Sequence, residues 1–225
     1  MIETVAMARE CRLPCRFVPH PVPDSTAPAL ILLVRHGATA WSVSGRHTGR
    51  TDMALLPEGE AQAAAARQVI LHRLAGAEPL IYTSPLQRAR RTAELALPGC
   101  HAEQDHDLAE YDYGDYEGLT TSEILARDPE WDLFHTGCPG GETPHQVVAR
   151  CDRFVSRLHR EATGRAVVAF THGHLSRVLT ARLIELPAST AAGLWNDTAS
   201  VGVVNLHRGR LVLVGWNVTA PIAQA

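Results

Sequence analysis

The chain has 225 residues, 45% of them hydrophobic and 20% charged, with a formal net charge of -3 when histidine is neutral. That composition suits a globular protein with room for one α/β domain and its own core. An isoelectric point of about 6.4 excludes a basic stripe wide enough to cover duplex nucleic acid, and the longest apolar runs, Ala29–Val34 and Ala166–Phe170, are too short to span a bilayer.

The opening Met1-Ile2-Glu3-Thr4-Val5 carries an acid where a signal peptide needs positive charge. The five cysteines, Cys11, Cys15, Cys100, Cys138 and Cys151, are scattered and odd in number, which reads as reduced thiols in a cytoplasmic protein. Residues 1–28 hold Pro14, Pro19, Pro21, Pro23 and Pro28, a density that predicts an extended, flexible arm ahead of a domain over 29–225.

From Ala29 onward, short apolar strands alternate with amphipathic helices. Leu30–Val34 is a continuous apolar run ending in Arg-His-Gly, as expected of a buried parallel strand. Pro57 and Glu58 open a helix that runs to about Ala75, with Gly76 beyond its end. Leu80–Thr83 is a second strand, stopped by Ser84-Pro85, and a basic helix starts at Leu86. Thr143 to about Glu161 repeats apolar residues at threes and fours and predicts a helix. Ala166–Phe170 is a third strand, with Thr171-His172-Gly173-His174 at its carboxyl end. Val201–Leu206 and Leu211–Trp216 flank His207-Arg208-Gly209-Arg210 as an antiparallel hairpin. The alternation predicts an α/β fold: a three-layer α/β/α sandwich around a mostly parallel sheet, with ligands at the carboxyl ends of the strands.

Three strand ends deliver polar residues there: Arg35, His36 and Gly37 from the first, Ser84 and Arg88 from the second, His172 and Gly173 from the third. Arginine is rarely buried unless paired. Converging guanidinium groups suit the oxygens of a phosphoryl group, and a histidine among them is either a further cation or a nucleophile toward phosphorus.

Leu33-Val34-Arg35-His36-Gly37-Ala38-Thr39-Ala40-Trp41, then Gly45-Arg46-His47-Thr48-Gly49-Arg50-Thr51-Asp52, resembles the opening of the histidine phosphatase superfamily, the phosphoglycerate-mutase-like proteins. The resemblance continues in order through Ser84–Ala93, Leu108–Gly118 and Thr171–His174, and covers roughly residues 30–216. It implies that His36 is the nucleophile, forming a phosphohistidine that water then hydrolyses. Arg35, Arg88 and His172 would hold the phosphoryl oxygens, and Glu110 would be the general acid. Gly37, Ser42, Thr48, Gly49 and Gly173 would complete the substrate contacts. The resemblance calls for no metal and no cofactor, and the partner is a small phosphorylated metabolite, with no nucleic acid and no membrane. Oligomeric state is open, a homodimer being one option.

Departures from the family pattern bear on substrate. Ala38 stands where Glu or Gln is usual, and Ser42 where most members have Asn. Thr48-Gly49, in place of Gln-Gly, favours a mutase. Tyr111, where mutases have Arg, counts against one, as does Leu119–Pro144, where Arg127 is the single basic residue besides histidine. Trp41-Ser42-x-Ser44-Gly45, Tyr113–Gly118 and Gly137–Glu142 resemble the branch of sedoheptulose-bisphosphatase-like sugar phosphatases. Arg46 and His47 are candidates for a second phosphate, and 119–143 reads as a lid-like stretch. The leading expectation is a metal-independent phosphomonoesterase for a sugar phosphate or bisphosphate. The alternatives are a cofactor-dependent phosphoglycerate mutase and a phosphate-binding module without turnover.

Overall fold

The computed structural model describes residues 27–221; Cys11, Cys15 and all but the last two residues of the proline-rich arm lie outside them. In chain order the elements are β1 (Leu30–Arg35), α1 (Ala40–Ser44), α2 (Pro57–Leu74), β2 (Leu80–Thr83), α3 (Gln87–Ala96) and β3 (Glu103–Gln104). After two 3-10 turns come α4 (Thr121–Leu125), α5 (Pro144–Glu161), β4 (Ala166–Thr171), α6 (Gly173–Leu183), β5 (Val201–His207) and β6 (Arg210–Val218).

The strands form one sheet in the order β3-β2-β4-β1-β5-β6. β1 and β2 both pair in parallel with β4, and β3 pairs in parallel with β2. Only β5 runs against its neighbours, pairing antiparallel with β1 and with β6. The sheet is therefore mostly parallel, as its long apolar strands predict.

Side chains of the central strands alternate between two cores because successive residues of a strand face opposite ways. Leu32, Val34, Val168 and Phe170 pack with Ile70 and Leu74 of α2 and Ala93 and Ala96 of α3. Ile31, Leu33, Val167 and Ala169 pack with Phe154 and Leu158 of α5 and Val178 and Leu179 of α6. Helices on both faces make the three layers.

Local chemistry sets the element ends. α2 begins with Pro57 at its first position and ends where Ala75 turns left-handed at φ 48°, followed by Gly76. Thr143 caps α5 through a reciprocal pairing with Gln146. The hairpin turns through Arg208 and Gly209, both at positive φ.

Two expectations change. Residues 119–143 do not form a separate lid: Ile124, Leu133 and Cys138 belong to the core, and the segment is bonded to 46–49 through Arg46↔Thr120 and His47 N to Leu119 O. The cysteines are not uniformly reduced. Cys138 and Cys151 are free and buried, with thiols that burial pushes up to about 12, but Cys100 is disulfide-bonded.

Candidate active site

β1 and β4 lie side by side, with Arg35 opposite Thr171. This register brings His36 and His172, one residue past each strand end, to a ring separation of 5.2 Å. A pocket of about 180 Å³ opens there, with Arg35, His36, Glu110 and Gly173 among its walls.

The carbonyl oxygen of Gly37 accepts from Nδ1 of His36 at 2.7 Å. A carbonyl only accepts, so Nδ1 carries the proton and the lone pair is on Nε2. Burial, then the charges of Arg88 and Arg35, push the His36 pKa well below its usual value. The ring is a neutral imidazole with a free nitrogen.

Arg35 donates from Nη1 to the carbonyl oxygen of Asn196 at 2.7 Å, while its buried Nε has no hydrogen-bond partner among the described residues. A buried guanidinium N–H left unpaired is costly, and an anionic oxygen in the pocket would relieve it.

Arg88 and His172 are fully buried and lie beneath these walls rather than among them. Arg88 donates from Nε to His172 Nδ1 at 3.2 Å, from Nη1 to Thr51 O, and from Nη2 to Thr48 O and Gly49 O. Four of its five N–H groups are thus engaged by the protein. Because Arg88 must donate, His172 accepts at Nδ1 and gives its Nε2 proton to Ser84 Oγ at 2.7 Å. Burial, and next the charge of Arg88, keep this ring neutral as well, its pKa driven well down.

Glu110 caps the start of α6. Its Oε1 accepts from the backbone of Tyr111 and Leu175, and its Oε2 from the backbone of His174 at 3.0 Å. Oε2 therefore keeps an open lone pair. The nearby acids are committed elsewhere: Glu117 accepts from Gly49 N and Thr51 N, and Asp112 pairs with Arg50 at 2.7 Å. Among the acids of 110–117, Glu110 alone lines the pocket.

The remaining expected contacts divide. Gly173 and Thr48 line the pocket, Thr48 with its hydroxyl turned to Arg46 O. Ser42 also lines it, but its hydroxyl donates to Thr39 O and accepts from Thr39 N within the cap of α1. Gly37 and Gly49 do not reach the pocket and are glycine for packing. A Cβ on Gly37 would run into the backbone of Gly59, at the start of α2, and one on Gly49 into Tyr111 O.

Arg46 lines the pocket and donates only from Nη1, to Gly118 O and to Glu123 at 3.1 Å, so its Nε and Nη2 have no partner among the described residues. His47 is held neutral, its pKa lowered to about 4 by burial, with Nε2 beside Thr121 Oγ1. His47 stacks on His174 at 5.5 Å, and Tyr113 OH bonds His174 Nδ1 at 2.6 Å.

Sequence reasoning missed Arg177, Trp195 and Asn196, which also line the pocket. Arg177 donates from Nε and Nη2 to Ala191 O and Ala192 O and lies 4.8 Å over the Phe134 ring, leaving Nη1 without a partner among the described residues. Trp195 is 68% exposed, with its indole fixed by Asp197 and its carbonyl accepting from Trp216 Nε1. The spacing of Arg177 from the His172 block is the one signal that could have flagged it. Among the described residues no group of three or more His, Cys, Asp or Glu could hold a metal ion, and no helix is long and apolar enough to cross a membrane.

A neutral histidine and a partly unpaired guanidinium at one strand end, with a carboxyl group across the pocket, define an α/β enzyme of phosphoryl transfer. The chain belongs to the histidine phosphatase superfamily (branch 1), whose sequence profile matches residues 31–219. It is 40% identical over 179 residues to the acid phosphatase of Mycobacterium tuberculosis, covering 80% of this chain and 87% of that protein. It is 38% identical over 177 residues to the sedoheptulose 1,7-bisphosphatase of Saccharomyces cerevisiae, covering 67% of this chain and 65% of that longer protein. Among solved structures, that of the open reading frame Rv3214 from Mycobacterium tuberculosis superposes with a TM-score of 0.80 at 39% identity, covering 84% of this chain and 97% of that one.

Proposed function

We propose that the protein is a metal-independent phosphomonoesterase for a small phosphorylated metabolite, a sugar phosphate or bisphosphate, working through a phosphohistidine at His36. The observation that carries this reading is the tautomer of His36: with Nδ1–H given to Gly37 O, the free Nε2 lone pair belongs to a pocket wall beside Arg35.

In the first step Nε2 attacks phosphorus, the P–O bond to the alcohol breaks, and Glu110 donates a proton to the departing oxygen. In the second, Glu110 takes a proton from water, whose oxygen attacks the phosphohistidine and releases phosphate. Arg35 meets charge on the phosphoryl oxygens, and the buried Arg88 supplies a fixed positive field at the same centre. His172, neutral and locked between Arg88 and Ser84, orients that guanidinium.

The rest of the pocket lining supports a sugar substrate. Arg177 offers an uncommitted Nη1 for a second phosphate, and the exposed Trp195 indole offers a flat surface to the C–H face of a sugar. The name of the yeast relative supports the same class. A mutase reading has less support. Tyr111 is a buried phenol rather than a cation, and beyond Arg35 the pocket lining holds two guanidinium groups among the described residues, Arg46, which is paired with Glu123, and Arg177, too few to retain a bisphosphate between half-reactions. The test is phosphate release across a panel of phosphorylated metabolites with EDTA present. Release from sugar phosphates is expected; activity on none of the panel would remove the reading.

A further inference from the structure

Outside the pocket, on α5, Arg150 is the most heavily bonded polar side chain of this face. It is 6% exposed. Its Nε donates to Glu142 Oε1 at 2.9 Å and its Nη2 to Glu142 Oε2 at 3.0 Å, a bidentate ion pair. The rest of the fork takes three backbone carbonyls: Nη1 reaches Asp107 O at 3.0 Å and Ala109 O at 2.6 Å, and Nη2 reaches Glu110 O at 3.2 Å. All five N–H groups are satisfied.

Those carbonyls belong to the segment that enters Glu110. The exit is held by the same pair, because Glu142 Oε2 also accepts from Asp112 N at 3.0 Å. The backbone is thus fixed on both sides of Glu110, through bonds that touch neither the Glu110 carboxyl group nor the pocket. The carboxyl group in turn holds the first N–H groups of α6. A buried bidentate arginine is a poor choice for stability alone, since its desolvation offsets much of the pairing. Its geometry is what no other residue reproduces: lysine offers three donors and no planar fork.

We infer that Arg150, clamped to Glu142, is a positioning residue that sets Glu110 against the leaving-group oxygen, so that its loss impairs proton donation specifically rather than phosphate binding. The inference rests on the proposed role of Glu110 as the acid. A group that only protonates the departing oxygen matters for an alkoxide and hardly at all for an oxygen that leaves without help.

The test compares kcat/KM, which reports the step that expels the alcohol, for a sugar phosphate and for 2,4-dinitrophenyl phosphate. For Arg150→Lys the sugar phosphate is expected to lose about 10²-fold, while the dinitrophenyl ester changes by less than about 3-fold and the Ki of inorganic vanadate stays near wild type. Glu142→Gln, which keeps the shape but weakens the same clamp, should show the same contrast and serves where Arg150→Lys does not fold. Equal losses on both esters by folded variants would overturn the inference and leave Arg150 a structural residue. Glu110→Gln is the control. If it shows no contrast between the esters, the acid assignment itself is wrong, a result distinct from failure of the Arg150 variants alone.

Discussion

His36 gives its Nδ1 proton to Gly37 across 2.7 Å, and this bond decides which ring nitrogen meets the substrate. His36→Ala should therefore lose at least about 10³-fold in phosphate release while remaining folded, since its ring makes no other hydrogen bond among the described residues. Acid-labile, base-stable label should be trapped on the wild type by quenching with a radiolabelled substrate, and none on the variant. Unimpaired turnover by His36→Ala would end the covalent mechanism.

Four histidines around the site, His36, His47, His172 and His174, have their pKa values pushed down, in each case chiefly by burial. The unfolded chain takes up these protons near pH 6.5, whereas the folded protein resists until lower pH, about 4 for His47. Their contribution is thus fully present above pH 6.5 and is lost as pH falls toward the folded values. Each group accounts for about 1.4 kcal/mol per pH unit within its window, so the four together change stability by up to about 5.6 kcal/mol per pH unit where their windows overlap. Urea midpoints should fall steeply between pH 6.5 and 4.5, and a flat profile there would contradict the neutral cluster. The nucleophile stays unprotonated over the same range, so kcat/KM should show no acid limb at pH 6.5.

Arg177→Ala should separate bisphosphates from monophosphates. One charge-assisted contact is worth about 1.5–3 kcal/mol, so the affinity for a sugar bisphosphate should drop about 10–10²-fold, while glycerol phosphate is hydrolysed as before. KM values for the two substrates decide it; parallel losses would place Arg177 in the scaffold.

Arg35 and Arg88 supply the positive charge that a metal would otherwise provide. Chelators should leave activity intact, and vanadate should inhibit. Interconversion of 2- and 3-phosphoglycerate, followed by coupling to enolase, should be negligible even with added 2,3-bisphosphoglycerate. Restoration of chelator-lost activity by Mg²⁺ or Zn²⁺ would defeat the first expectation, and mutase turnover faster than phosphate release the second.

The parts legible in the sequence are those that one local pattern determines. β1 and β4 are continuous apolar runs, α5 has a regular apolar stripe, and Arg35, His36 and His172 follow strand ends that parallel pairing must bring together. α6 escaped notice because it is buried nearly all round, including Ser176, Arg177 and Thr180, so it has no polar face to produce a period. β3 has two exposed residues and no pattern at all. Partner choice is equally invisible. Arg46 and Arg177 are alike as letters, but one bonds through Nη1 alone and carries Glu123 as a counter-ion, while the other spends Nε and Nη2 on carbonyls and keeps Nη1. Likewise Ser42 carries a hydroxyl suited to phosphate that its own helix cap consumes.

Gly59 is the place where the fold leaves the nucleophile exposed to damage from outside the pocket. The first turn of α2 lies so close to the Gly37–Ala38 backbone that a methyl group at 59 would collide with both the amide and the carbonyl of Ala38. The carbonyl of Gly37 is the one that fixes the His36 ring. A small side chain at Gly59, on a helix that lines no part of the active-site pocket, would therefore turn the imidazole and silence the enzyme with its reactive residues all in place. Variation at that helix start would behave as an active-site lesion, and a stretch of chain that looks replaceable is part of the catalytic alignment.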